Sequence, residues 1–263
     1  MKLVLASEED PAGKNIVARL LEFFDFERSS DHSGAYVCGE VFLSTIPSGV
    51  TRMNKLPFAA EEVIVASKHA SESGKPTLTV HAPGNIETKE LAIAAPGTIK
   101  AALKALVDAR DELKLPYDVS LEATHHGPTK LIVPVTFVEV GSSPQQWRDT
   151  KAAEAVARAI MGAAANPVKG RQAIGFGGPH YAPRHTEIVL RTDVCVGHIL
   201  PKYAKVDETL VEKAMRATDG GVELFALDWK GLDADARAKI LNLAKKFGVH
   251  AARGHELLKE AKV

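Results

Sequence analysis

The run Glu122-Ala-Thr-His-His-Gly-Pro-Thr129 sets a carboxylate, two adjacent imidazoles and a chain-turning Gly-Pro side by side. Imidazole and carboxylate are the groups that ligate a zinc-like metal and that move protons near neutral pH. The flanks Tyr117-Asp-Val-Ser-Leu121 and Leu131-Ile-Val-Pro-Val135 read as strands. The histidines are therefore expected at a strand end or in the following loop, where an α/β protein keeps its chemistry. A second cluster, Gly175-Phe-Gly-Gly-Pro-His-Tyr-Ala-Pro-Arg-His-Thr-Glu187, carries His180, Arg184, His185 and Glu187 behind a Gly-Gly turn. Two such clusters in one chain point to a hydrolytic or metal-assisted site.

Adjacent side chains of an extended segment point to opposite sides. His125 and His126 are thus expected to divide their labour, one as a metal ligand and the other as a base or substrate-orienting group. We take His126 with His180 and His185 as the metal candidates, and His125 with Glu122 and Glu139 as the catalytic ones; which of the two adjacent histidines has which role stays open. The competing reading is a pair of structural histidines capping a turn. Glu139 follows the apolar run Thr136-Phe-Val and precedes Val140-Gly-Ser-Ser143, the position of either a buried functional acid or an edge charge. His81 ends the run Thr77-Leu-Thr-Val80 and leads into Ala-Pro-Gly-Asn85. With Asn85 it is a candidate for substrate binding, against the alternative of a loop histidine bonded to local backbone.

Ser142 is a further candidate substrate contact. Ser143 reads as a helix cap ahead of Pro144, and the free amides there could hold an anionic oxygen. Gly177 and Gly178 let the backbone approach a ligand, with Arg184 as the nearby cation. His185 and Glu187 face the same way if their segment is extended. His198, within Val-Gly-His-Ile, reads as a structural strand residue, and His32, His69, His250 and His255 read as surface residues. No His-Glu-x-x-His, Cys-x-x-Cys, Gly-x-Ser-x-Gly or Walker sequence occurs, so a metal site has to assemble from separate loops.

The elements that position these residues alternate. Strands are expected at Lys2–Ala6, Val41–Ser44, Glu62–Ala66, Thr77–Val80, around Ile174, Val194–Leu200 and Val222–Leu227. Helices are expected at Pro11–Phe24, Thr98–Leu113, Gln145–Ala165, Asp207–Ala217 and Asp233–Phe247, from their apolar spacing and caps. That alternation predicts an α/β three-layer α/β/α sandwich on a mainly parallel mixed sheet. The Ser-, Gly- and Pro-rich stretch 27–58 reads as a loop-rich insertion in a single domain spanning 1–263.

Composition excludes several classes. No run of about 18 apolar residues exists, and the N-terminal Met-Lys-Leu-Val-Leu-Ala-Ser reads as a buried strand rather than a signal peptide. The chain has two cysteines; Cys38 and Cys195 read as small residues in a reducing cytoplasm. Formal net charge is zero, so an RNA partner requires a local basic patch, for which Arg148, Lys169, Arg171 and Arg184 are the candidates. A DNA-coating or membrane role is not indicated, and a monomer or weak homo-oligomer is expected.

Taken together, His-Ala-Pro-Gly-Asn at 81, Glu-Ala-Thr-His-His-Gly-Pro-Thr at 122, Glu-Val-Gly-Ser-Ser at 139 with Trp147 beyond it, and Gly-Phe-Gly-Gly-Pro-His-Tyr-Ala-Pro at 175 resemble the archaeal and plant type of D-aminoacyl-tRNA deacylase. The N-terminal Leu-Val-Leu-Ala-Ser-Glu-Glu-Asp-Pro-Ala fits as well, so the likeness covers most of the chain. The resemblance implies hydrolysis of the ester joining a D-amino acid to the 3′ end of tRNA. It further implies dependence on zinc, with two ions per subunit, and a phosphorylase/hydrolase-like fold similar to peptidyl-tRNA hydrolase. The alternatives are a zinc-dependent peptidase or amidase on a related scaffold, and a non-catalytic RNA- or nucleotide-binding module.

Overall fold

The runs Leu3-Val-Leu-Ala6 and Val63-Ile-Val-Ala66 are apolar at every position, the pattern of parallel strands covered on both faces, and both become central strands. The computed structural model describes residues 1–261. Along the chain lie β1 (Lys2–Ser7), α1 (Pro11–Phe23), β2 (Glu27–Arg28), β3 (Tyr36–Cys38), β4 (Val41–Ile46), β5 (Glu62–Lys68), β6 (Thr77–His81), β7 (Gly84–Asn85), β8 (Glu90–Leu91), α2 (Pro96–Glu112), β9 (Asp118–Leu121) and β10 (Val135–Gly141). They are followed by α3 (Pro144–Trp147), α4 (Thr150–Ala165), β11 (Gln172–Phe176), α5 (Pro183–Arg191), β12 (Cys195–Leu200), α6 (Glu208–Arg216), β13 (Leu224–Leu227), α7 (Ala234–Phe247), β14 (His250–Arg253) and α8 (Gly254–Glu260).

The expected α/β architecture on a mainly parallel mixed sheet is present, with the strands divided between sheets. The larger sheet has eight strands in the order β2-β3-β4-β1-β5-β10-β6-β9. Its centre, β4-β1-β5-β10, is parallel, and β6 joins β10 antiparallel. The smaller sheet is the parallel set β12-β11-β13-β14, and β7 and β8 form a separate hairpin. The stretch 27–58 contributes three strands to the larger sheet.

One face of the larger sheet, with Val4, Ala6, Ile64, Ala66 and Val138, packs on Ile16 and Leu20 of α1, Ile99, Leu103 and Leu106 of α2, and Val156 and Ile160 of α4. The same buried cluster continues through α2 to Ala173, Val196 and Ala226 of the smaller sheet. The smaller sheet's other face buries Phe176, Phe225 and Leu227 against Leu210 of α6 and Ile240 and Leu243 of α7. The second face of the larger sheet carries Leu3, Leu5, Val65 and Phe137. It is covered by loop residues, among them Val50, Met53, Leu56, Phe58 and Leu131. A loop-covered face can hold a cleft that a packed helix would fill.

Local signals explain the boundaries. Asp10 accepts from the Ala12 and Gly13 amides ahead of α1, Asp207 caps α6, and Asp233 caps α7, which ends at left-handed Gly248. The expected helix 145–165 is broken in two: α3 stops after one turn, and the Asp149 carboxylate accepts from the Lys151 and Ala152 amides to start α4.

Candidate active site

Paired residues of neighbouring strands project to the same face, and this register assembles the floor of the site. Ser67 of β5 pairs with Glu139 of β10, and Phe137 of β10 pairs with His81 of β6. All four therefore stand on the loop-covered face. Glu122 continues β9 beside His81, its amide bonded to the Val80 carbonyl at 3.1 Å. The chain beyond Glu122 is fixed on both sides. The Ala123 amide donates to the His180 carbonyl at 2.8 Å, and short bridges join Glu122 to Tyr181 and Pro83 to His125. His69 follows β5, and its ring packs where a Cβ on Gly141 would come within 2.8 Å of it.

The result is a carboxylate walled by imidazoles. The Glu122 side chain is wholly buried, and its oxygens lie 3.0 Å from His69 Nδ1, 3.6 Å from His81 Nδ1, 3.5 Å from His125 Nε2 and 3.5 Å from His180 Nε2. Glu139 stands beside it, 3.7 Å from His69 Nδ1, and accepts a short hydrogen bond from the Ser67 hydroxyl. On the far side of His69, Nε2 meets the Tyr181 hydroxyl at 2.7 Å. The rings of His125 and His126 both face His81, with centroids 4.3 and 4.9 Å from it. Their expected divergence fails because His126 has φ 43°, a left-handed conformation that breaks the alternation of an extended chain. The cleft above holds about 450 Å³ and is lined by Asp10, Val50, Thr51, Phe137 and, from the cluster, Ser67, His69, His125, His126, Glu139 and His180. Gly127 lets the loop over it close, since a Cβ there would meet the Thr51 carbonyl oxygen at 2.3 Å.

The charges are unequal. Burial favours a neutral Glu122, but the facing His180 and His69 outweigh it and hold its pKa well below the usual carboxylate range. Burial raises the Glu139 pKa, and the neighbouring Glu122 adds to that rise against the His69 contact. Burial works against a charged His69, yet the two carboxylates outweigh it and push its pKa up to about 11. His81 is held well below the ordinary imidazole value by burial and by His125 and His126. His125 is lowered to about 4, again by burial first and His126 second. Two carboxylates with divergent proton affinities suit distinct ionic and proton-accepting tasks.

These residues can hold a metal ion. Donor atoms lie within 4.8 Å of one another in three groups: His81, His125 and His126; His69, Glu122 and His180; and His81, Glu122 and Glu139. Both His81 ring nitrogens and both Glu122 oxygens are buried without a hydrogen-bond partner. Buried polar atoms left unpaired are costly, and a cation would satisfy them together.

Six of the predicted site residues converge here: His81, Glu122, His125, His126, Glu139 and His180. Five do not. His185 was expected in a loop, but Pro183 begins α5, which turns the ring toward the smaller sheet. There it is fully buried, with Nε2 3.2 Å from the Ala226 carbonyl oxygen. Helical spacing also separates His185 from Glu187, and Glu187 instead pairs with Arg184 and Arg191. Arg184 is thus engaged on the surface of its own helix. Gly177 and Gly178 have positive φ and form a turn packed on Leu232 and Asp228. Asn85 is exposed and caps its own turn through the Glu87 and Thr88 amides. Ser142 is buried and donates to the Lys75 carbonyl.

Of the four cations expected to form a basic patch, Arg184 and Arg171 are paired with acids. Arg171 is bound to Asp193 at the start of β11, the end away from His180. The sequence reading missed His69, Ser67 and Tyr181. His69 was placed on the surface, although, like His81, it directly follows an apolar strand, and that was the available signal. His198 behaves as read: it is buried and bonded at both nitrogens, to Thr124 and to the Ala92 and Ala217 carbonyls.

Comparison with known proteins adds an independent line. The family profile described as D-aminoacyl-tRNA deacylase matches residues 56–252. The D-aminoacyl-tRNA deacylase of Pyrococcus horikoshii is 35% identical over 272 residues, covering 95% of this chain and 98% of that one. That of Archaeoglobus fulgidus is 34% identical over 280 residues, covering 100% and 98%. The crystal structure of a conserved protein of unknown function superposes with TM-score 0.90 at 32% identity, covering 98% of this chain and 97% of that one.

Proposed function

Because the chain belongs to the D-aminoacyl-tRNA deacylase family, we propose that the Glu122 cleft hydrolyses the ester between a D-amino acid and the 3′ end of tRNA, releasing both. The observation that carries this reading is the buried Glu122 carboxylate, its oxygens 3.0 to 3.6 Å from four histidines and none of these contacts a geometrically sound hydrogen bond. Such a cluster is expensive to fold unless it has a task.

The donor set, imidazole nitrogens with one carboxylate, suits zinc. Two groups share no residue, His81 with His125 and His126, and His69 with Glu122 and His180, which supports two ions per chain. Zinc, when bound, makes water a stronger acid and polarises an ester carbonyl. Glu139 is the proton acceptor in this scheme. It is not a member of either of those two groups, its proton affinity is raised by burial, and the Ser67 hydroxyl fixes its orientation. It takes the proton of the attacking water and returns it to the departing ribose oxygen. Tyr181 orients His69 through their hydrogen bond. An aminoacyl ester is intrinsically labile, so modest activation suffices. The wall of Val50, Thr51 and Phe137 is where a D side chain is accepted and an L side chain refused, the selectivity an editing enzyme needs.

The unpaired Cys38 and Cys195 suit a reducing cytoplasm, and among the described residues no helix is long and apolar enough to cross a membrane. Deacylation of D- and L-aminoacyl-tRNA in parallel, with and without a zinc chelator, tests the proposal. Chelator-sensitive hydrolysis of the D form alone is the expected result, and equal rates on both forms would refute it.

A further inference from the structure

Tyr203 is anomalous. It is a large aromatic residue 61% exposed, yet it stands at the rim of a buried site. Its hydroxyl lies 3.4 Å from His180 Nδ1, and the other nitrogen of that ring is 3.5 Å from Glu122. Its loop is anchored rather than loose: the Lys202 amide donates to the Gly178 carbonyl, and the Ala204 amide to that of Pro201. The same loop carries Lys202 and Lys205, both exposed, and neither makes an ion pair among the described residues. Other cations near this end of the chain are taken up by acids, as at Arg184 and Arg171. A fixed, solvent-facing ring with two lysines on its own loop offers what an unpaired nucleotide needs: a stacking surface and charge for its phosphates.

We infer that Tyr203 is the stacking platform for the 3′-terminal adenine of the tRNA, with Lys202 and Lys205 meeting the phosphates that precede it. The inference rests on the tRNA-ester reading and goes beyond it by assigning the nucleoside subsite. A base stacked on Tyr203 sets its ribose over His180 and thus brings the ester oxygen to the Glu122 cluster. The amino acid then enters the cleft from the His180 side, and the RNA leaves along the 201–206 loop. This also accounts for a chain with zero net charge holding RNA by one end.

The test uses an uncharged RNA hairpin with a single-stranded 3′ end whose last base is the fluorescent adenine analogue 2-aminopurine. Stacking quenches its emission, and binding is read without any hydrolysis. The wild-type protein should bind and quench. Tyr203→Ala should lose the quench and weaken binding roughly tenfold to a hundredfold, the range of one base–aromatic stack. Tyr203→Phe keeps the ring and should restore most of both. Replacing Lys202 and Lys205 together by Ala should lower the salt slope of binding by about 1.4, at about 0.7 per single-strand phosphate contact. Wild-type binding without a quench, or a Tyr203→Ala variant that binds and quenches normally, overturns the assignment. Failure of the deacylase reading shows separately, as absent hydrolysis of D-aminoacyl-tRNA by the wild-type protein.

Discussion

Exchanging Glu139 and Glu122 one at a time for glutamine separates the two carboxylates. Glu139 is 2% exposed and keeps the Ser67 hydroxyl on one oxygen, while its other oxygen faces His69 at 3.7 Å and His81 at 4.0 Å. Glutamine has the same shape and its carbonyl can still accept from Ser67, so folding should change by no more than about 1 kcal/mol, the net worth of one hydrogen bond. What is lost is the proton acceptor, which contributes about a hundredfold to ten-thousandfold, or roughly 3 to 5 kcal/mol of barrier. Glu122→Gln differs in kind, because this carboxylate is the anionic member of its donor group. That variant should lose about one equivalent of zinc, and turnover with it. Single-turnover deacylation and elemental analysis on both variants decide the matter. Glu139→Gln should stay metal-replete and slow, and Glu122→Gln metal-depleted and slow. A Glu139→Gln variant within about threefold of wild-type turnover would refute a proton-accepting Glu139, since that role demands at least a hundredfold.

His125→Ala and His126→Ala should both reduce zinc content, because the left-handed turn at His126 aims both rings at His81; retention of full zinc in either contradicts their shared group. Gly127→Ala places a Cβ 2.3 Å from the Thr51 carbonyl oxygen, so denaturant titration should show a loss of about 1 to 3 kcal/mol from overpacking and the loop over the cleft should shift. His198, buried and neutral, has its pKa lowered from 6.5 to about 4 by burial. As pH falls below 6.5 the unfolded chain takes up this proton first, so stability declines toward pH 4 by on the order of 3 kcal/mol. His198→Gln should remove that part of the slope, and an unchanged difference between the proteins from pH 7 to pH 4.5 would dismiss it.

Much of this arrangement was legible. The apolar runs at 3–6 and 63–66 marked strands, and the capping residues Asp10 and Asp233 and the stop at Gly248 marked helix ends by local chemistry alone. The segments around His81, Glu122, Glu139 and His180 were singled out from residue type next to an apolar run, and strand register then brings them together. What stayed hidden depends on backbone conformation or on distant partners. The orientation of His126 turns on a positive φ that a His-His-Gly-Pro string does not disclose. His185 looked available because Gly-Gly and two prolines suggested a loop, whereas Pro183 serves as the first residue of a helix. His69 stands among polar neighbours, His-Ala-Ser-Glu-Ser, and is buried only because Tyr181 and Glu122 arrive from far along the chain. The division into two sheets likewise follows from α2 packing on both, a tertiary choice with no local signature.

The proposed site holds zinc in the Glu122–histidine cluster and removes D-amino acids from tRNA there. Its most direct measurement is hydrolysis of one tRNA charged in turn with the D and the L form of the same amino acid, using protein whose zinc content has been determined. The D-amino acid should be released rapidly, the L-aminoacyl-tRNA should survive at its spontaneous rate, and the D activity should disappear when zinc is stripped. Hydrolysis of both forms alike, or D activity indifferent to zinc removal, would contradict it.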